Sequence, residues 1–434
     1  VNEELAMLPP RPRDRPLVIL ANFASDTAID LEQSAILRQW SLQAPREIWL
    51  ARPGDVLLTP VPLSPAFIRY ACSVLDMPID AISILTVPDV AGAAMADTVR
   101  STRALTSLRD LVAQRPGYRL LPTALDSATV ALAAELDIPI SPYDLSTRAA
   151  GPDAVAVTAL LNTKAGFRTA AQDLGMRLPD GQLCDGSRLP AVARELIGAY
   201  QDIVVKPDRS AGGHGLRFIS GRDLPLAAEP AAGQWVVEEY LAHCRSVSAQ
   251  FHTGEQEPRM LFSGEMSTRD GAFTGYRSPL ADVPEYTVKK LERWGLDLGD
   301  YLAARGYRGP YSIDALVTRQ GGLYATEANV RRTATTTPHA MITRLLPSSP
   351  TPAWLMGTRR ADRVYTFPEA VDLLAAAGLA YDPGTGAGVL LYADDPADGM
   401  SWRYAITAPD PDCVRQLDRQ FALLFAPSRE DGDQ

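Results

Sequence analysis

The sequence predicts an α/β protein built from three units, and three observations carry that reading. Over residues 1–150, short apolar runs alternate with helically spaced segments, the pattern of βαβ units on a mostly parallel sheet. A Pro/Ser/Thr stretch, Pro347-Ser348-Ser349-Pro350-Thr351-Pro352, then reads as a linker. Beyond it, strand and helix patterns resume on the scale of a small domain. The units are therefore residues 1–150, an N-terminal α/β layer; 151–348, which holds the chemistry; and 353–426, a small C-terminal α/β domain.

Taken in order, residues 1–16 are rich in Pro and Arg and read as a loose arm. Residues 17–21 read as a buried strand and 31–43 as a helix, with further strands at 47–51 and 81–87. Helical spacing covers 65–75 and 98–114; Arg119-Leu120-Leu121 and a helix over 126–136 complete the layer. No GxGxxG links a strand to a helix here, so no dinucleotide is assigned. Ala149-Ala150-Gly151-Pro152-Asp153 marks the boundary. After the linker come a helix at 368–377, strands at 389–392 and 402–406, a helix at 414–425 and a polar tail. The glycines of 384–388 precede a strand instead of following one and are read as a turn.

Composition narrows the function. The 434 residues carry 46% hydrophobic and 22% charged side chains, an ordinary globular balance. With 42 basic against 52 acidic residues the net charge is −10 and no basic patch stands out, so nucleic acid is not an expected partner. Cys72, Cys184, Cys244 and Cys413 are scattered, with no CxxC, which favours reduced thiols in the cytoplasm. No apolar stretch approaches the roughly 18 residues of a membrane span. Arg11, Arg13 and Arg15 precede a short apolar run, but Asn22 and Asp26 follow it closely, so export is not expected.

Four elements carry chemistry. In the first, the strand Val204-Val205-Lys206-Pro207 leads into a loop with Gly212, Gly213 and Gly215. Glycines let backbone N–H groups approach a polyphosphate, and a lysine supplies a point charge. The Walker A order is absent, and a plain glycine-rich turn explains the loop about as well. In the second, Trp235-Val236-Val237 runs into Glu238, Glu239, Tyr240 and Leu241, suited to reading a purine edge; solvated acids at a strand end are the simpler alternative. In the third, Tyr311 to Val317 and Leu323 to Arg331 flank a Gly321-Gly322 turn as a hairpin. Glu327, Asn329 and Arg331 alternate on one face with Asp314 across from them. Two carboxylates and an amide oxygen make a hard site suited to Mg²⁺, and Arg331 would balance developing negative charge; the solvated side of a plain hairpin is the alternative, which unrelieved like charges disfavour. In the fourth, Lys164 opens a helix after Asn162 and Thr163, either of which could cap it. A lysine there opposes the helix dipole unless an anion is bound nearby.

Taken together, Lys164, the Lys206–glycine loop, Glu238 to Leu241 and the Asp314/Glu327-x-Asn329-x-Arg331 set resemble the ATP-grasp superfamily over about residues 154–345. That resemblance implies an ATP-grasp fold in which two α+β subdomains clasp ATP, preceded by a βαβ pre-ATP-grasp domain. It implies ATP and Mg²⁺ as cofactors and a carboxylate activated as acyl phosphate for attack by an amine. Lys164 and Lys206 would contact the phosphates, Gly212, Gly213 and Gly215 would cover them, and Glu238, Glu239, Tyr240 and Leu241 would frame adenine. Asp314, Glu327 and Asn329 would hold the metal, while Arg331 and Lys206 would be the catalytic pair. One departure stands out: the stretch Ala242-His243-Cys244-Arg245-Ser246 lacks the acid that many relatives use for ribose.

The whole-chain layout and the run Arg331 to His339 are similar to the peptide ligases of the pheganomycin type. These join a nonproteinogenic amino acid to the α-amine of a peptide. An amino-acid donor and a peptide acceptor are the implied partners, with no nucleic acid and no membrane; a homo-oligomer stays open. Arg332 and Thr333 follow the metal strand and could meet a substrate, as could Arg277. A Thr-rich cap for the next helix, and a surface loop at 276–278, are the plainer readings. Rival functions are a ligase for other acid and nucleophile pairs, such as two free amino acids, and a nucleotide-binding protein without chemistry.

Overall fold

The computed structural model describes residues 15–27, 29, 31, 34–143, 150–210, 212–213, 215–221, 232–349 and 351–425. The arm up to residue 14, Ala149, His214 and the polar tail lie outside the described residues.

Four short strands come first: β1 (Leu17–Leu20), β2 (Val56–Thr59), β3 (Ser83–Thr86) and β4 (Arg119–Pro122). They pair in parallel in the order β3-β2-β1-β4. Every residue of β1 and β2 is buried, which is why these strands read as unbroken apolar runs instead of alternating ones. Helices Pro65–Val74 and Ser127–Leu136 start where expected, capped by the Ser64 and Asp126 side chains on Phe67 N and Thr129 N.

Two expectations fail in this layer. Residues 47–51 do not form a strand: Ala44–Leu50 is a fully buried 3₁₀ helix with Pro45 in its first turn. A short apolar run does not separate a strand from a buried helical turn, and the fixed φ of Pro45 favours the helical start. The strand lies further on, at β2. The expected helix over 98–114 is two, Met95–Arg100 and Arg103–Gln114. Ser101 turns its hydroxyl back onto Asp97 O at 2.9 Å, the side-chain competition that ends helices at Ser and Thr.

The second sheet contains β5 (Gly181–Asp185), β6 (Asp202–Pro207), β7 (Arg217–Ser220) and β8 (Gln234–Glu239), antiparallel in the order β5-β8-β6-β7. Helix Leu189–Tyr200 covers it, with Val192 and Leu196 packed among Cys184, Ile203, Val205 and Val237. This core is separate from the rest, so the sheet forms a small lobe.

Eight strands make the large sheet: β9 (Arg245–Thr253), β10 (Arg259–Arg269), β11 (Ala272–Ser278), β12 (Gly309–Val317), β13 (Leu323–Asn329), β14 (Ala353–Arg360), β15 (Gly388–Leu391) and β16 (Ser401–Ala408). Their order is β13-β12-β9-β10-β11-β14-β16-β15. The chain after the Pro-rich stretch thus adds β14, β16 and β15 to the central sheet instead of building its own. Helix Glu285–Ala304 covers one face, with Leu291, Trp294 and Leu298 against Val247, Phe251 and Ile313. Each such buried side chain contributes roughly 1.5–3 kcal/mol. Gly295 allows the approach, since a Cβ there would lie 1.8 Å from the Phe251 ring.

The opposite face of β9, β12 and β13 carries polar residues two apart: Ser248 and Gln250, Ser312 and Asp314, Glu327 and Asn329. One apolar cluster runs from Val18 and Leu20 through Phe167 to Phe251 and Ile313, so the N-terminal layer is fused to the large sheet. Among the described residues no helix is long and apolar enough to cross a membrane, and all four cysteines are unpaired.

Candidate active site

The register of the β12–β13 hairpin sets Asp314 directly opposite Glu327 and Ser312 opposite Asn329. The Asn329 amide nitrogen donates to Asp314 Oδ2 at 3.2 Å and to Ser312 Oγ at 3.3 Å, and its oxygen accepts from Arg331 Nη2 at 2.6 Å. Burial pushes the Asp314 carboxyl up, and the neighbouring Glu327 charge adds to the rise. Burial also opposes the Glu327 charge, but Lys164, Arg331 and Lys206 outweigh it and hold that carboxyl below its usual range. Paired carboxylates of this kind repel each other until a cation or a proton joins them. Asp314, Glu327 and the Asn329 amide are a hard donor set that fits Mg²⁺ completed by phosphate oxygens once the amide turns its oxygen from Arg331 toward the carboxylates. Among the described residues no group of three or more His, Cys, Asp or Glu side chains could hold a metal, so a cation here needs the amide and oxygens from outside the chain.

Cations ring this pair. Lys164 is the first residue of helix Lys164–Asp173, and Thr163 caps it by accepting from Gly166 N. Lys164 Nζ lies 3.5 Å from Glu327 Oε2 and donates to Ser210 Oγ at 2.9 Å. Lys206, on β6, meets Glu238 Oε2 at 2.5 Å, and Arg168 meets Glu238 Oε1 at 2.7 Å. Four cations (Lys164, Arg168, Lys206, Arg331) thus face four carboxylates, Glu238, Asp314, Glu327 and, beside Lys164, Asp208; of these Asp314 resists ionisation. Cations gathered this closely suit an oligophosphate anion.

Asn162 does not cap the helix. Its oxygen accepts from Val330 N at 3.1 Å and from Arg331 Nη1, tying Arg331 to the helix start. The glycine loop packs on the tip of the β10–β11 hairpin: Phe273 N donates to Gly212 O at 3.3 Å. At Gly213 (φ +80°) a Cβ would sit 1.9 Å from Gly271 O, so only glycine fits. Gly212 and Gly215 also hold positive φ.

Several anticipated residues stand elsewhere or act differently. Glu238 is buried between Lys206 and Arg168, so its carboxylate neutralises cations and is not free to meet a purine. Glu239 accepts from Asp180 N at 3.0 Å, and the N–H groups of Glu239 and Tyr240 go to Asp180 O and Asp202 O. Tyr240 is exposed at the lobe edge and Leu241 is partly so. Arg332 is sunk: it bonds Glu47, Pro122 O at 3.1 Å and Thr123 Oγ1 at 3.1 Å, which leaves it no free edge for a substrate. Thr333 lies on the cleft side, its hydroxyl on Gln250 Oε1 at 3.2 Å. Arg277 is not brought to the cluster. It pairs laterally with Glu265, and Glu265 with Val247, on the sheet face opposite Asp314.

Sequence reasoning missed Ser248, Gln250, Ser210 and Arg168. For the first two a signal existed: Ser246, Ser248, Gln250 and His252 alternate with Val247, Ala249 and Phe251, a polar face on a buried strand. Ser248 bonds Asp314 and lowers its carboxyl, against the larger effect of burial.

The chain has the ATP-grasp fold, with an N-terminal pre-ATP-grasp domain and a C-terminal domain whose strands extend the central sheet. Residues 44–138 match the family model for the pre ATP-grasp domain, and residues 369–421 match that for the PGM1 C-terminal domain. No curated protein matches the sequence. Among solved structures it is similar to N5-carboxyaminoimidazole ribonucleotide synthetase from Thermus thermophilus (13% identity, TM-score 0.58, covering 96% of this chain and 99% of that one). Biotin carboxylase from Campylobacter jejuni, in a β-γ-ATP complex, matches at 15% identity and TM-score 0.58 over 95% of both chains. The biotin carboxylase domain of Hydrogenobacter thermophilus 2-oxoglutarate carboxylase, with MgADP, ADP and bicarbonate, matches at 12% identity and TM-score 0.58 over 94% of this chain and 89% of that one.

Proposed function

We infer that this protein is an ATP- and Mg²⁺-dependent ligase. It activates an amino-acid carboxylate as an acyl phosphate and joins it to the α-amine of a peptide, releasing ADP and phosphate. The observation that carries the reading is the cross-strand pair Asp314–Glu327 with Asn329, ringed by Lys164, Lys206 and Arg331. Lys164 and Lys206 hold the phosphates, with Gly212, Gly213 and Gly215 above them. The lobe edge from Glu238 to Leu241 borders adenine through its backbone and side-chain stems. Asp314, Glu327 and Asn329 hold Mg²⁺, which when bound neutralises the β- and γ-phosphates.

A donor carboxylate oxygen attacks the γ-phosphorus, ADP leaves, and the peptide amine then attacks the acyl carbon and expels phosphate. Arg331, fixed by Asn162 and Asn329, offsets the negative charge that gathers on the acyl group in both steps. The peptide-ligase form rests on the resemblance of the whole-chain layout and of the run Arg331 to His339 to ligases of that type. The unpaired cysteines support a cytoplasmic location.

The test supplies ATP, Mg²⁺, amino acids and short peptides, then weighs the products by mass spectrometry. A new amide that forms with one ADP released per bond bears the reading out; peptide-independent ADP release with no amide counts against it. A second reading, bicarbonate as the acid, is favoured by the MgADP- and bicarbonate-bound neighbour. ADP release that depends on bicarbonate and not on amino acid would select it.

A further inference from the structure

Asn162 lies buried between helix Pro152–Leu161 and helix Lys164–Asp173. Its amide nitrogen donates to Thr158 O at 2.8 Å and to Val330 O at 3.3 Å. Its oxygen accepts from Val330 N at 3.1 Å and from Arg331 Nη1. Two carbonyls on one side and two N–H groups on the other allow a single orientation of the amide, and they use both of its donors and both lone pairs.

Neither helix explains this residue. The backbone N–H of Asn162 closes the first helix on Thr158 O, and Thr163 caps the second. The strand does explain it. The β12–β13 ladder ends at the Ser312–Asn329 pair, on the edge of the large sheet. Val330, one residue on, is buried past the last rung. Asn162 meets both its N–H and its C=O, as the backbone of an adjoining strand would. With Val330 held extended, Arg331 returns to the face of Glu327 and Asn329. Arg332 leaves for the N-terminal layer, its N–H on Thr123 O at 2.9 Å.

Resting on the ligase reading above, we propose that Asn162 is the positioning residue of Arg331, and that it has to be neutral to act as one. It holds the backbone before Arg331 and the guanidinium itself, so it sets where that charge stands. As an amide it leaves the charge uncompensated. A carboxylate in its place would neutralise it, as Glu47 neutralises Arg332. Asn329, the other partner of Arg331, is also a candidate metal donor, so its oxygen has a competing use. Lys164 is anchored separately, by the Thr163 cap of its helix, Ser210 and Glu327. Loss of the Asn162 side chain therefore reaches the acyl group more than the phosphates.

The test measures ADP release with ATP, Mg²⁺, hydroxylamine and the amino acid that best supports it. Wild type is compared with Asn162→Ala, Asn162→Asp, Arg331→Ala and the double variant Asn162→Ala/Arg331→Ala. Asn162→Ala should lower kcat roughly tenfold or more, as small displacements of a reacting group do, with the KM for ATP within about twofold of wild type. Asn162→Asp should fall at least as far. Added to Arg331→Ala, the loss of Asn162 should change kcat by less than about twofold, since a group that acts through Arg331 has nothing left to act on. A merely structural role predicts equal losses on both backgrounds, and activity kept in Asn162→Asp, which grips the guanidinium more firmly. Either of those results, or an Asn162→Ala variant with wild-type kcat, overturns the proposal and leaves the ligase reading in place. Should Asn162→Ala fail to fold, Asn162→Ser, which keeps a hydroxyl at the site, runs the same cycle. Wild-type turnover in Arg331→Ala overturns the part given to both residues. No ADP release with any amino acid in the wild type overturns the ligase reading itself.

Discussion

Arg331 and Arg332 are neighbours in the chain and opposites in the structure. Both are buried. Arg332 turns toward the N-terminal layer, where Glu47, itself without exposed side chain, takes its charge, and Pro122 O and Thr123 take its remaining donors. Arg331 turns toward the cleft and bonds two amide oxygens, Asn162 and Asn329, while the fields of Glu327 and Asp314 support its charge from a distance. The lesson is that burial alone does not separate a structural ion from a chemical one. Saturation does: an arginine closed off by a carboxylate and carbonyls holds parts together, and one propped by neutral amides keeps its charge available.

The widest gap between the two should appear in stability. Arg332→Ala leaves the buried Glu47 carboxylate only Arg46 at 3.9 Å and the Thr337 hydroxyl at 2.7 Å, a loss approaching the roughly 3–5 kcal/mol of a broken buried pair, read as a lower urea midpoint. Arg331→Ala should lower the midpoint far less, and an equal drop in both variants breaks the comparison. Activity should reverse the order. Arg331→Ala or Glu327→Gln should reduce ATP-dependent turnover roughly 10²–10³-fold, the cost of removing one electrostatic stabiliser, with the urea midpoint close to wild type.

A stability effect of similar size, spread over pH, follows from two histidines placed outside both clusters. Burial lowers His339 to about 3 and His252 to about 4. Because the folded state holds them neutral, the unfolded chain binds more protons below its ordinary pKa of roughly 6.5. Stability is therefore present above that value and is lost as pH falls toward 4, by about 1.4 kcal/mol per unit for each ring. Urea titrations from pH 7 to pH 4.5 should show the decline, and His339→Phe should remove about half of it. The smallest change expected is at Thr163, the cap of the helix that presents Lys164. Thr163→Ala should cost about 1 kcal/mol and raise the KM for ATP more than it lowers kcat.

The hairpin with Asp314, Glu327 and Asn329 was legible because a strand period of two and a Gly-Gly turn fix which residues meet. Lys206 before the glycines and the layered N-terminal sheet were legible for similar local reasons. What stayed hidden depends on partners far along the chain. Arg332 finds Glu47 across 285 residues, and Glu238 is claimed by Arg168 across 70. Neither separation leaves a trace in spacing. Arg277 fell on the wrong face because the register of β10 and β11, and not composition, decides which side it takes. The 3₁₀ turn at 44–50 escaped because its buried residues obey no period.

Oxygen transfer tests the central claim most directly. The amino acid that best supports ADP release is supplied with both carboxylate oxygens as ¹⁸O, and the released phosphate is analysed by mass spectrometry. An acyl phosphate intermediate predicts one ¹⁸O in each phosphate, with the signal lost on omission of Mg²⁺ and in Glu327→Gln. Phosphate that carries only solvent oxygen, at full ADP release, would contradict carboxylate activation at this site.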